Sequence, residues 1–407
     1  MLLEIVIVTT SLVAAAFLLS KRVRNNLSWR ATVTPLASII GSGFLVIVPL
    51  LGNAVGGYAP AAIFAVVVLA YWIGSAIRFN IIHTEPILDL PLQYPWVNRL
   101  STVSNGALAI AYFISVTFYL RLLASFALQG IGSQNDVLAN ALTTVILVSI
   151  GAIGWFRGLT LLEKLEEYSV SIKLAIIASL LVGWAIYDSS HFEAVQDESL
   201  FPSDLSGWRV FRLLAGVLIV VQGFETSRYL GDQYDAETRV RTMRTAQLIS
   251  GVVYVLFVLL TVPTFSFLGP NVSDTAIIEL SRVVSPVLPI MLVIAALMSQ
   301  FSAAVADTVG AGGLLTETLG NRFPVRAKEA YLVVAFVGTA LVWTTNIFEI
   351  VSLASRAFAI YYAIQCMVAT MTAKRVLVGV QRNVAIASFS VLSLVLIATA
   401  ILAIPAG

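Results

Sequence analysis

The sequence predicts an all-α fold, a polytopic membrane helix bundle, and three observations carry that prediction. Apolar residues make up 59% of the 407 and charged residues only 11%, where a soluble domain is roughly a quarter charged. Apolar runs close to the ~20 residues that a helix needs to cross the hydrocarbon follow one another along the chain, joined by short polar connectors. Lysine and arginine gather in alternate connectors, the pattern of a chain that threads a bilayer repeatedly.

Twelve spans follow in order. The first, 2 to 20, has only Glu4 as an early charge and is followed by Lys21, Arg22, Arg24 and Arg30. A secretion signal carries its positive charge before the apolar stretch, so this run is predicted to stay as a span with its N-terminus outside. The second, 32 to 51, holds Gly41 and Gly43 between Pro35 and Pro49, and the third, 58 to 80, ends in a connector with Arg78 and Arg99. The fourth, 103 to 128, sets Tyr112, Ser115, Thr117 and Tyr119 on or near one helical face, open to two readings, side-chain specificity or aromatic packing. The fifth, 137 to 156, precedes Arg157 and Lys164, and the sixth, 166 to 187, contains Lys173.

The seventh span, 209 to 229, has Gln222, Gly223 and Glu225 in its interior, and Arg228, Arg239, Arg241 and Arg244 lead to the eighth, 246 to 268. The ninth, 283 to 318, is too long for a simple crossing and is predicted to run on into the cytoplasm as a helix. Arg322, Arg326 and Lys328 precede the tenth, 330 to 345; the eleventh, 350 to 372, and twelfth, 384 to 404, enclose Lys374, Arg375 and Arg382. The opposite connectors hold only Arg209 and Arg282 near span ends, with Arg212 just inside a span. Both termini are therefore expected outside the cytoplasm, in the plasma (cytoplasmic) membrane.

A formal charge of +2 with scattered basic residues excludes a nucleic-acid partner. The one cysteine, Cys366, can form no intramolecular disulfide. His83 and His191 fall in opposite connectors and make no metal pair, no hydrolytic triad is recognisable, and no cofactor is expected. Glycines 310 to 313 make no phosphate loop, because no Lys-Ser/Thr follows them. Asn271-Val272-Ser273 is a glycosylation sequon only in a host that glycosylates. Three cations lie within apolar runs: Arg121, Lys173 and Arg356. Such charges mark functional sites unless they snorkel from span ends, and for Arg121 and Arg356 both readings stand.

Spans two and seven share an anomaly. Glycine costs about 1 kcal/mol relative to alanine inside a helix, so Gly41 and Gly43 suggest either a backbone break or close helix packing. Span seven places Gln222, Gly223 and Glu225 in mid-membrane. The two lie five spans apart and so cross in opposite directions, and paired interruptions of this kind point to an inverted-repeat transporter with its site near the midplane. The half-helix starting near Gly43 would offer N–H groups to a carboxylate. Carbonyls freed near Val221 would suit an ammonium, and the two together describe an amino acid or similar zwitterion.

These residues resemble the amino acid/polyamine/organocation superfamily of permeases. Gly41-Ser42-Gly43-Phe44 with Pro49 resembles its first-helix signature, and Gly223-Phe224-Glu225 before an Arg-rich connector its sixth. The resemblance implies the leucine-transporter type of fold, a five-plus-five inverted repeat with two interrupted helices. Residues 31–188 would form the first repeat and 189–375 the second, with an extra N-terminal span in 1–30 and an extra C-terminal span in 376–407.

It further implies a substrate set of Ile40, Gly41, Ser42, Gly43, Ile219, Val220, Gln222 and Gly223, joined by Tyr112 and Ser115. Amides of Ser42 and Gly43 would take the carboxylate, and carbonyls of Ile39 or Ile40, Ile219 and Gln222 the amine. Glu225 matches a family carboxylate linked to coupling or gating. Lys173 sits where proton-coupled relatives replace a sodium ion by lysine. Burial penalises a lysine's charged form, so this ammonium could gain and lose a proton, the alternative being a structural lysine. Ser302 and first-helix carbonyls are the oxygen ligands a sodium-coupled version would use. Asp307 stands near where the family carries a base, and is either the counter-ion of Lys173 or a plain inner-end residue.

The expected function is proton-coupled transport of an amino acid or amine across the lipid bilayer, without enzymatic activity. A sodium-coupled permease and a non-transporting sensor or assembly subunit are the alternatives.

Overall fold

The computed structural model describes the chain except residues 1, 42, 89–94, 158–159, 191–200, 202–205, 232, 270–272, 320–326 and 406–407, and gives backbone alone for 157, 160–167, 219, 317–319 and 327. The described residues form helices and no strand. In chain order they are α1 (Leu2–Leu18), α2 (Lys21–Arg24), α3 (Leu27–Ile39), α4 (Ile47–Val55), α5 (Ala59–Phe79), α6 (Glu85–Leu88), α7 (Pro95–Gly130) and α8 (Asp136–Arg157). The second half contains α9 (Thr160–Ser190), α10 (Gly207–Gly216), α11 (Ala236–Thr261), α12 (Ala276–Val284), α13 (Leu288–Leu319), α14 (Ala327–Thr344), α15 (Ile347–Val376) and α16 (Gly379–Leu402).

Local chemistry sets several of these ends. Asn26 caps α3 by accepting the Trp29 N–H at 3.0 Å, and Asp235 caps α11 by accepting that of Thr238 at 2.8 Å. Asn346 and Glu349 form a reciprocal capping box at the start of α15. At the far end of α16, Arg212 Nε donates to the Leu402 carbonyl at 3.0 Å and Arg356 donates to that of Ala403. The two arginines together thus satisfy carbonyls at the end of a helix. Arg121 points toward the end of α7, where it pairs with Asp136 at 2.6 Å and bonds Asn140 at 2.8 Å.

Among the described residues, eight helices are long and apolar enough to cross a bilayer by length and composition. They cover the predicted spans three to six, eight, nine, eleven and twelve, although several extend well beyond the hydropathic run: α7 has 36 residues and α9 has 31. The ninth span requires correction, because 283 to 318 is not one helix. α12 stops at Val284 and α13 starts at Leu288, with Ser285 extended at φ −162° and ψ 141°. Pro286 causes this, since a residue before proline is driven out of the helical region.

The core lies around α7, which packs against α13, α15, α8 and α14. Twenty of its residues are buried, among them Tyr112, Ser115, Thr117, Tyr119 and Arg121. The terminal helices attach to opposite partners, α1 to α9 and α16 to α15. Large apolar side chains such as Phe64, Ile110, Phe336 and Leu394 remain exposed on the outside of the bundle, as expected for a surface solvated by lipid rather than water.

Candidate functional site

Spans two and seven are interrupted. α3 ends at Ile39, and α4 begins only at Ile47; Ile40 caps α3 at φ −83° and ψ 39°, outside the helical region. Gly41 N–H bonds the Ser38 carbonyl at 3.2 Å, one residue short of the helical register. In span seven, α10 ends at Gly216, a 3₁₀ turn covers Leu218–Val221, and a second 3₁₀ segment covers Phe224–Leu230. Between them Gly223 has φ +115°, a conformation that glycine adopts without steric cost.

The two breaks touch. A Cβ on Gly43 would fall 2.4 Å from the Val220 Cα, and one on Gly223 would fall 2.4 Å from the Ser38 hydroxyl. Both glycines are needed because backbone of one interrupted helix lies against the other. Ser42 lies outside the described residues, and Ile219 is described by its 3₁₀ backbone alone.

Carbonyls whose helical partners the breaks remove are captured by side chains from other helices. Lys173 Nζ, on α9, donates to the Ala37 carbonyl at 2.7 Å. Ser299 Oγ, on α13, stands 3.1 Å from the carbonyl oxygen of Ile40 and 2.5 Å from that of Gly41, which share its one hydrogen. The Tyr254 hydroxyl, on α11, stands 2.9 Å from the Ile39 carbonyl and 2.6 Å from that of Val220. A hydroxyl has a single hydrogen, so these two acceptors share it across the gap between the breaks. Ser355 Oγ on α15 donates to the Gly216 carbonyl at 2.8 Å. Such capture is what a buried backbone acceptor requires.

The other expected residues fall close by. Glu225 is fully buried; its Oε2 accepts the Gly223 N–H at 2.9 Å and the Tyr362 hydroxyl at 2.6 Å, while Oε1 has no hydrogen-bond partner among the described residues. Phe224 stacks on the Tyr362 ring with centroids 5.2 Å apart. Gln222 Nε2 donates to the Tyr119 hydroxyl at 2.8 Å. Asp307, on α13, is buried and accepts the Ser115 hydroxyl, so Ser115 is directed to a carboxylate rather than into open space. Ser302 Oγ returns to the Ser299 carbonyl of its own helix at 3.0 Å, which makes Ser299 the α13 hydroxyl on first-break carbonyls. α9 and α13, which carry Lys173 and Asp307, pack together.

A cavity of about 450 Å³ opens beside this cluster, on the side bearing the basic residues Arg24 and Arg30. Its wall includes Tyr112, Thr226 next to Glu225, Ala306 next to Asp307, and Ser171 two residues from Lys173. At the same end, Arg239 grips Glu85 through two hydrogen bonds of 3.0 and 2.6 Å, and Arg228 Nε lies 4.0 Å from that carboxylate. This ties the second 3₁₀ segment of span seven to α6 and α11. His83 rests against the Phe79 ring, whereas His191, Asn271 and the arginines at 322 and 326 lie outside the described residues. Among the described residues no group of three or more His, Cys, Asp or Glu could hold a metal ion.

Sequence reasoning missed Tyr254, Ser299 and Tyr362, whose hydroxyls hold the breaks and Glu225. The available signal was a tyrosine in mid-membrane, since a buried phenol needs a hydrogen-bond partner.

A helix bundle with two abutting interruptions can be compared with known proteins as a whole. A crystal structure of MhsT in complex with L-phenylalanine aligns with a TM-score of 0.57 at 13% identity, covering 92% of this chain and 98% of that one. At this identity the match speaks to the fold, which is of the leucine-transporter type. An uncharacterized protein of Aquifex aeolicus (strain VF5) is 44% identical over 372 residues, 90% of each chain. The family profile described as an APC superfamily transporter matches residues 21–403, nearly the entire length, and the chain belongs to that superfamily of membrane transporters.

Proposed function

We propose that the protein is a proton-coupled secondary transporter that moves an amino acid or a related amine by alternating access, with the solute bound where the two interruptions meet. The carrying observation is the placement of Lys173: its ammonium occupies a carbonyl freed by the first break, the kind of oxygen a coupling sodium ion would otherwise use. The neighbouring freed carbonyls of Ile39, Ile40 and Gly41 are also held by protein donors, which favours a protein-borne charge over a bound metal cation. Coupling would run through Lys173, Asp307 and Glu225, with residues 31–188 and 189–375 as the two repeats and both termini outside the cytoplasm. L-Phenylalanine, named with the structurally similar MhsT, makes amino acids the first solutes to try.

The test is uptake into proteoliposomes under imposed gradients. Accumulation should follow an inward proton gradient and ignore sodium. Sodium-driven accumulation at clamped pH would overturn proton coupling, and absence of saturable uptake or counterflow across an amino-acid panel would favour a non-transporting sensor.

A further inference from the structure

The cavity beside the coupling residues is walled in part by two halves of the interrupted spans: Arg30, Val33 and Thr34 from α3, and Thr226, Tyr229 and Leu230 from the second 3₁₀ segment of span seven. The other halves, α4 and α10, lie beyond the breaks on the opposite side, where they pack against each other. A solute that crosses by alternating access needs a path between them, so whatever holds α10 in place governs that step.

α10 is held by a short segment at the end of α16. The Ile404 N–H donates to the Arg212 carbonyl at 3.2 Å, and Arg212 Nε donates back to the Leu402 carbonyl at 3.0 Å. Arg356, on α15, donates to the Ala403 carbonyl between them. The segment also reaches the break itself. Gly216 is the last residue of α10; its carbonyl accepts the Ser355 hydroxyl at 2.8 Å, and a Cβ added to it would fall 2.1 Å from the Ile404 carbonyl oxygen. These bonds and the glycine contact join α10 to α15 and α16. Arg212, Arg356, Leu402 and Ile404 are only half-buried, and hydrogen bonds between such groups are exchanged at small net cost, which suits a contact that opens.

We propose that residues 402–404 act as a latch on α10, closed here, where the cavity lies on the side of Arg24 and Arg30, and released when the opposite side opens. The proposal rests on the alternating-access reading above and adds the element that gates one of its two openings. A helix end also gains simply by having its last carbonyls satisfied, so the test reads the position of α10 rather than stability.

The full-length protein carries spin labels at Trp208→Cys, on α10, and Leu394→Cys, on α16, both exposed positions; Cys366 is buried and stays unlabelled. Label separation is measured by pulsed electron resonance in lipid nanodiscs without solute, beside counterflow of an amino-acid panel in proteoliposomes. The otherwise unaltered chain should show two discrete separations, the longer one minor. Ile404→Pro removes the N–H donor, and Ala403, at φ −52° and ψ 138°, already has the backbone that precedes a proline; Arg356→Gln removes the guanidinium. Each should raise the ratio of longer to shorter separation by about fivefold, and Arg356→Lys should reverse part of that rise. One separation in every chain, a single broadened one in the variants, or two whose ratio the variants leave unchanged would overturn the latch and make the segment a fixed cap. Two separations that respond to the variants, without counterflow, would leave the latch standing and count against the transporter reading; counterflow with one separation does the reverse. Should the variants fail to fold, the unaltered chain decides alone, by one separation or two.

Discussion

The ammonium of Lys173 lies 2.7 Å from the carbonyl oxygen of Ala37, the acceptor that a continuous helix would have given to the N–H of Gly41. That N–H turns instead to Ser38, so the break in span two and the buried lysine on α9 satisfy one another. Removing either member leaves a buried polar group exposed to an apolar interior, a loss of about 1–3 kcal/mol for the carbonyl alone. The relationship explains how a charged residue with no exposed surface is tolerated in the bundle.

Lys173→Ala should therefore abolish gradient-driven uptake while sparing solute exchange, because exchange needs no net proton movement. Counterflow and driven uptake measured on the same vesicles separate the two. Wild-type pH dependence of uptake in this variant would remove the lysine from coupling.

Gly43→Ala and Gly223→Ala should each destabilise the protein and weaken solute binding. At Gly43 the added methyl meets the Val220 backbone, an overpacking cost of about 1–3 kcal/mol. At Gly223 the side chain must also adopt φ +115°, adding strain of about 1–3 kcal/mol. Thermal unfolding in detergent should show a larger drop in midpoint for Gly223→Ala than for Gly106→Ala, where nothing lies within 4 Å of the new methyl. Equal midpoints would mean that the breaks do not meet as described.

Tyr254→Phe keeps the ring and deletes the hydroxyl shared by Ile39 and Val220. A loss of about 1–3 kcal/mol in stability is expected, since two buried acceptors lose their donor. A neutral thermal midpoint together with unchanged solute affinity would show that this hydroxyl does not join the breaks.

Glu225→Gln and Tyr362→Phe should be coupled. Their hydrogen bond spans 2.6 Å in a buried setting, and groups in direct contact show interaction energies of about 0.5–3 kcal/mol. A double-mutant cycle on unfolding or on solute affinity should give a coupling of about 1 kcal/mol or more. Additive effects would place Glu225 under the control of other groups.

The interruptions were legible because glycine carries a conformational cost in a helix, so Gly41, Gly43 and Gly223 stand out against apolar surroundings. Glu225, Asp307 and Lys173 were legible because charge at membrane depth is rare. What the sequence hid was partnership. Ser115 looked like a solute contact, yet it faces Asp307, and Ser302 looked like an oxygen ligand for sodium, whereas Ser299 one turn earlier reaches the carbonyls. Helical periodicity assigns a face but not a neighbour, and Ser299 and Ser302 lie less than one turn apart on α13. The split between α12 and α13 was missed because hydropathy runs unbroken through it; the local rule that Pro286 imposes on Ser285 was the available sign.

The most direct measurement is the pH inside proteoliposomes, followed with an entrapped indicator as solute is added outside under no imposed ion gradient. The account predicts acidification of the lumen by the wild-type protein, independent of sodium, and none with Lys173→Ala although exchange persists. Solute accumulation by the wild type with no movement of protons, or only when sodium is present, would contradict it.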